Sequence, residues 1–206
     1  MRPWGLLLAP GAGASSDHSA IVAIGSAATA LGAEVRRMDF PYRLAGRKAP
    51  DRAPVLVAAV AGAASQLVAD AGVGPDRVYL GGRSMGGRMC SMAVAEGLPA
   101  AGLVLVSYPL HPPGRPDQLR TGHFGHLRVP CLFVSGMRDA FATRAELELA
   151  VASIPGPVTV HWLEGGDHGL RRRDGEVAEV VSGWLAAHVG VRSGASSSRD
   201  APAVSG

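Results

Sequence analysis

Short, continuous apolar runs alternate along this chain with longer stretches of helical period. Apolar runs of that length read as strands buried on both faces, so the alternation predicts a parallel sheet covered by helices. Six strands are expected, at about Trp4 to Ala9, Glu34 to Asp39, Arg77 to Leu80, Leu103 to Ser107, Cys131 to Ser135 and Val158 to Leu163. Helices are expected at about residues 17 to 31, 53 to 71, 85 to 96, 143 to 153 and 175 to 188. Ile21, Ile24, Ala28 and Leu31 share one face of the first, and Val177, Val180, Val181, Trp184 and Leu185 one face of the last. Pro41 is read as breaking the second strand, and Gly72-Val73-Gly74-Pro75 as ending the second helix. The fold class is therefore α/β, a doubly wound, mainly parallel sheet of about six strands with helices on both faces. With the first two crossovers on the opposite face from the rest, right-handed connections give the strand order 2-1-3-4-5-6. The order then reverses between strands 1 and 3. Ligands bind at such a point, beside the carboxyl ends of the strands. The loops found there are residues 10–16 and 81–86.

From residue 190 onward the chain is mostly Ser, Gly, Ala and Pro. The expected organisation is one domain over residues 1–189 and a disordered tail over 190–206. A length of 206 residues with 47% hydrophobic and 18% charged suits a single domain with a sizeable core. The net charge of +3, from 20 basic and 17 acidic residues, lacks the dense basic stripe of a nucleic-acid binder. Arg171 to Arg173 read as a solvated loop. Cys90 and Cys131 lie in apolar stretches and read as buried thiols, neither a disulfide nor a zinc site. No apolar run approaches the ~18 residues of a membrane span. Arg2 and Ala12-Gly13-Ala14 are arranged like parts of a leader, but the apolar segment between them, Trp4 to Ala9, is too short for one. A cytoplasmic protein acting on a small molecule is expected, without nucleic-acid or membrane partners.

Gly82-Arg83-Ser84-Met85-Gly86 is a G-x-S-x-G sequence between an expected strand and an expected helix. In that setting the serine sits on a sharp, strained turn that exposes its hydroxyl, and its close neighbours must be small. The alternative is a glycine-rich strand-to-helix turn with no chemical role. A serine hydroxyl needs a base to take its proton. His168, in the loop after the sixth strand, is the most suitable; His161 is mid-strand, and His188 ends the last helix. His111, His123 and His126 follow strand four, and His123 with His126 lacks a third metal ligand, so no metal site is expected. His18 fits the first turn of its helix. Asp139, after the fifth strand, is the acid best placed to orient the imidazole, with Asp117 in reserve. The chain order Ser84, Asp139, His168 suits this architecture. For a developing oxyanion, the N–H of Met85 is one expected donor and the first loop, at Ala12, the other. Gly11, Gly13, Tyr108, His111, Phe124 and Phe141 are candidates to line the substrate pocket, or else packing residues.

These stretches resemble the α/β-hydrolase superfamily, in its small dienelactone-hydrolase-like branch. The nearer resemblance is to hydrolase-like domains of the testis-expressed and NSL-complex type. It is carried by Gly81-Gly82-Arg83-Ser84-Met85-Gly86, Asp39-Phe40-Pro41-Tyr42-Arg43 and Ser107-Tyr108-Pro109-Leu110-His111-Pro112-Pro113. Leu132-Phe133-Val134-Ser135-Gly136 with Asp139, and His161-Trp162-Leu163-Glu164 leading to His168, complete it. The resemblance implies serine-hydrolase chemistry without a cofactor and leaves the substrate open. Three features depart from the pattern. Pro10 stands where a histidine often precedes the first oxyanion glycine. Ser84 stands where dienelactone hydrolases proper have cysteine. The chain opens almost at strand one, so either the sheet edge is trimmed or the true start lies upstream. The ~20 residues between strands four and five leave no room for a cap domain, which implies a shallow, open pocket.

Two other readings remain at this point. Gly11-Ala12-Gly13 after strand one, with Asp39 ending strand two, is partly that of an NAD(P)-binding Rossmann fold, but position 16 is Ser where Gly or Ala is required. A non-catalytic interaction protein is the second, since a triad can persist on a fold without useful turnover.

Overall fold

The computed structural model describes residues 3–194. The strands are β1 (Trp4–Ala9), β2 (Ala33–Arg37), β3 (Val78–Arg83), β4 (Gly102–Val106), β5 (Cys131–Gly136) and β6 (Val158–Leu163). They form one six-stranded sheet, parallel throughout, in the order β2-β1-β3-β4-β5-β6. The helices are α1 (Ser19–Ala30), α2 (Pro41–Leu44), α3 (Ala53–Ala71), α4 (Met85–Ala95), α5 (Arg144–Val151) and α6 (Asp174–Gly194). Successive strand residues point to opposite faces, so an unbroken apolar run feeds two cores. Leu6 and Leu8 pack with Ile21 and Ile24 of α1 and Val181 and Leu185 of α6. Leu7 joins the other core, with Val60 and Leu67 of α3, Met89 of α4 and Leu147 of α5.

The crossovers differ from expectation. The α1 crossover lies on the face of α6, whereas α3, the second crossover, lies with α4 and α5. The first two crossovers thus take opposite faces, and the reversal of direction at β1 follows from that.

Pro41 does not merely end a strand. It occupies the first turn of α2, where its missing N–H costs nothing. The helix α3 ends at Gly72 with φ 61°. It also revises the expectation about membrane-length segments. Its 19 residues, with a mean hydropathy of 1.5, are long and apolar enough to cross a bilayer. In this structure Leu56, Val57, Val60, Ala64 and Leu67 are buried in the core beside the sheet. Both thiols are buried, and burial pushes each up to about 12, so both stay protonated at neutral pH. The expected tail begins inside α6, which continues to Gly194; its remainder, residues 195–206, lies outside the described residues.

The strand β3 runs three residues beyond its expected end. Gly81, Gly82 and Arg83 continue the ladders, with Gly82 opposite Ala9 of β1 and Arg83 opposite Val106 of β4. The strand therefore delivers Ser84 directly at the carboxyl edge, at the point where the strand order reverses.

Candidate active site

Ser84 stands between β3 and α4 with φ 51° and ψ −118°. That conformation is strained for a residue with a side chain, and it persists only where the surroundings enforce it. They do so closely: a Cβ at Gly82 or at Gly86 would meet the carbonyl oxygen of Ala9. The end of β1 thus presses on the turn from one side. On the other, the Ser84 N–H donates to the Val106 carbonyl at 2.8 Å. The glycines two residues either side of Ser84 are required by this contact with β1.

The Ser84 hydroxyl lies 2.9 Å from Nε2 of His168. On the far side of the ring, Nδ1 lies 2.8 Å from Oδ2 and 3.0 Å from Oδ1 of Asp139. The side chain of Asp139 has no exposed surface, while that of His168 is 19% exposed. A buried carboxylate accepts the Nδ1 proton, which leaves Nε2 as the acceptor for the serine O–H. Asp139 Oδ1 also accepts from the Phe141 N–H at 2.8 Å, which fixes the carboxylate. The Phe141 ring stacks on the imidazole with centroids 3.9 Å apart. The two loops are joined by the Arg138 N–H, which donates to the Gly166 carbonyl at 2.7 Å. Asp167 turns away and caps its own loop by accepting from the Leu170 N–H at 3.0 Å. Asp117 is exposed in the β4–β5 loop.

A cleft of about 360 Å³ opens beside Ser84 and is lined by Ala12, Met85 and Phe141 among others. Met85 is the first residue of α4, where amide protons have no partner within the helix. Ala12 faces the same cleft from the first loop. That loop is braced from α2 and from the segment between β2 and α2. The Gly13 N–H donates to the Tyr42 hydroxyl at 3.1 Å, and Asp39 accepts from the Ser16 N–H at 2.8 Å and from its hydroxyl at 2.7 Å. Both Asp39 oxygens are thus engaged by the loop, which weakens the dinucleotide reading. Gly11 is buried at the base of the loop, where a Cβ would sit 3.6 Å from the Ser84 Cβ.

Of the expected pocket residues only Phe141 lines the cleft; Gly11 and Gly13 lie in the first loop beside it, and the other three turn inward. Tyr108 is fully buried; its hydroxyl donates to the Arg120 carbonyl at 2.8 Å and its ring packs on Phe124 and Phe133. Phe124 is likewise buried in that aromatic cluster. His111 is only 4% exposed, beside the Pro112 carbonyl at 2.8 Å and Glu146 at 3.4 Å. Glu146 belongs to the capping box of α5 with Thr143, which draws His111 to that helix end. His18 caps α1 by accepting from the Ala20 N–H at 3.3 Å. His123 lies 2.8 Å from the Ser91 hydroxyl, which itself donates to the Arg88 carbonyl. Among the described residues no group of three metal-ligating side chains stands together.

Arg83, between Gly82 and Ser84, was not expected in the site. Its guanidinium donates to the carbonyls of His168 at 2.9 Å and Gly169 at 3.2 Å. It therefore ties the turn holding the serine to the loop holding the histidine. Burial lowers its pKa, and the charges of Asp139, Asp174 and Asp167 push it back up. Arg88 and Arg120 also line the cleft, with Asp51 and Met89. Arg88 was within reach of sequence reasoning, because it lies one helical turn beyond Ser84.

Solved structures with this architecture include an alpha-beta serine hydrolase homologue from Coxiella burnetii, 17% identical, with a TM-score of 0.72 over 88% of this chain and 85% of that one. A dienelactone hydrolase from Anabaena variabilis is 19% identical, with a TM-score of 0.71 over 89% and 86%. Est1E from Butyrivibrio proteoclasticus, solved with ferulic acid bound, is 16% identical, with a TM-score of 0.68 over 90% of each chain. At these identities the likeness is one of fold. The sequence itself matches the family of alpha/beta hydrolase domains over residues 3–187. The chain belongs to that family.

Proposed function

We propose that this protein cleaves a small ester-like bond by way of an acyl-enzyme on Ser84. The observation that carries the reading is the continuous line of hydrogen-bonding atoms from Ser84 Oγ through His168 to the buried Asp139. As Ser84 Oγ bonds to the substrate carbonyl carbon, its proton passes to His168 Nε2. Asp139 stabilises the imidazolium and holds the ring in the required tautomer. The carbonyl oxygen, now negative, is met by the N–H groups of Met85 and Ala12. The bond to the leaving oxygen or sulfur breaks, and that atom takes the proton from His168. Water then gives its proton to His168 as its oxygen attacks the acyl carbon. The acid departs, and the proton returns to Ser84 Oγ.

Carboxyl ester, thioester and lactone all fit this chemistry. The resemblance of the fold to a dienelactone hydrolase, and to Est1E solved with ferulic acid bound, keeps lactones and carboxyl esters in that range. The test is a panel of nitrophenyl esters, acyl thioesters and lactones. At least one class is turned over by the wild type, and Ser84→Ala lowers kcat/KM by roughly 10⁴-fold or more while the protein stays folded. Turnover that survives in Ser84→Ala would remove the assignment.

A further inference from the structure

The sheet ends in two unlike edges. On one side β2 is blunted by charge. Glu34, Arg36 and Arg37 lie in it; Arg36 is ion-paired with Asp70 of α3, and Arg37 reaches Asp17 at 3.3 Å and the Ser16 carbonyl at 2.8 Å. Charged side chains on an edge strand keep other strands from adding to it. On the other side β6 carries no such device. Its sequence, Val-Thr-Val-His-Trp-Leu, has no carboxylate, lysine, arginine or proline. Its ladder with β5 runs from Val158 to Leu163 without a bulge. The Cys131 N–H donates to the Pro157 carbonyl at 2.8 Å, and the Met137 N–H to the Leu163 carbonyl at 3.1 Å. Alternation along the strand therefore turns the N–H and C=O groups of Val158, Val160 and Trp162 away from β5. Among the described residues none makes a hydrogen bond to these groups.

We propose that β6 is the interface of a homodimer, in which two copies pair antiparallel about a two-fold axis at Val160 and join their six-stranded sheets into one. The strand fits itself in that register. Val160 meets Val160 of the other copy, and Val158 meets Trp162 on either side of the axis. Each pair exchanges both of its backbone hydrogen bonds, about six in all. The side chains of these three residues stand on the α5 face of the sheet, packed against its core and only half-buried. Apolar meets apolar there, and an aromatic ring opposite a β-branched side chain is a favourable cross-strand pair. On the other face Thr159 stands opposite His161 of the other copy, polar against polar. A groove of about 520 Å³ opens along that face, between Thr159 and His161 of β6 and Glu179, Val180 and Trp184 of α6. The second strand closes its open side. Two-fold pairing also ends the assembly: both outer edges of the joined sheet are then β2, whose charges stop further addition.

The experiment is sedimentation equilibrium of the full chain from about 1 μM to about 100 μM, a range suited to an interface of modest area. At the upper end the expected mass is twice the 21.1 kDa of the chain. Val160→Pro removes an outward N–H that the fold itself does not use, and should give a folded monomer. Val160→Lys and Val160→Asp each set like charges across the axis, so each should be monomeric alone, and an equimolar mixture should regain the dimer mass. Glu34→Gln, on the β2 edge, should leave the dimer intact. Hydrogen exchange of the wild type gives a reading that needs no substitution: the amides of Val158, Val160 and Trp162 should exchange roughly tenfold more slowly in the dimer than on dilution to the monomer. A wild type that is monomeric throughout the range overturns the proposal, and protection of these amides in that monomer would assign the edge to another segment of the chain. A dimer in which they exchange as fast as in the monomer overturns it too, as does a dimer that persists in folded Val160→Pro or a Lys and Asp mixture that stays monomeric.

Discussion

On the two faces of the sheet, regular backbone carries apolar side chains: Leu6 and Leu8 against α1 and α6, Leu7 and Leu80 against α3, α4 and α5. At the carboxyl edge, a few residues further along the same strands, the backbone enters positive φ at Ser84, Ser107, Leu170 and Arg172. These are the non-glycine residues with that conformation among those described. Buried polar side chains gather at the same edge, with Asp139, Ser107 and Ser135 all at 2% exposure or less. The contrast shows a division of labour. The faces supply folding free energy through buried apolar area. The edge holds strained and desolvated groups in positions that only the rigid faces can maintain.

Substitutions should therefore separate the two regions. The largest effect is expected at the edge. Asp139→Asn keeps the shape but favours the wrong imidazole tautomer, and kcat/KM should fall by roughly 10⁴-fold in an ester assay. Next comes a face: Ile24→Ala, at a site 1% exposed in α1, should cost about 2–5 kcal/mol in urea unfolding. The folded fraction of that variant should keep its kcat/KM. A third substitution sharpens the boundary. Arg83→Met removes both bonds to the histidine loop, and displacement of His168 should lower kcat by about 10- to 100-fold with little change in KM. Arg83→Lys should recover part of that loss. A kcat unaffected by Arg83→Met would reduce Arg83 to packing.

The smallest effect is a pH dependence of stability. Burial, then Arg88 and His126, depress His123 to about 4 from an ordinary value near 6.5. Between those values the unfolded chain binds a proton at this position that the folded chain does not. This contribution to stability is complete above pH 6.5 and is lost progressively as pH falls toward 4. His123→Gln, which can still donate to the Ser91 hydroxyl, should flatten the unfolding midpoint over that window.

The same division governs what the sequence revealed. Burial on both faces produces continuous apolar runs, and these placed β1 and β6 to the residue; the strand order is the expected one, although the faces of the first two crossovers, on which that expectation rests, are not. Where pattern and ladder disagree, the pattern misled: Gly81-Gly82-Arg83 has the composition of a loop, yet it pairs with β1 and β4. At the edge, the spacing around Ser84 and the positions after β5 and β6 picked out the three side chains that meet. The direction of a long side chain leaves no such trace. Tyr108 and His111 lie in a proline-rich loop that reads as pocket wall, but an aromatic cluster and the cap of α5 draw them inward. Arg83 reads as the variable position of a motif, and its role appears only once β6 and its loop are placed beside β5.

The most direct test is covalent capture. Incubation with a fluorophosphonate, digestion and peptide mass spectrometry should find a single adduct, on Ser84, that is lost in His168→Ala. A well-folded wild type that shows no adduct, or one that reacts elsewhere and still does so as Ser84→Ala, would contradict the assignment of Ser84 as an activated nucleophile.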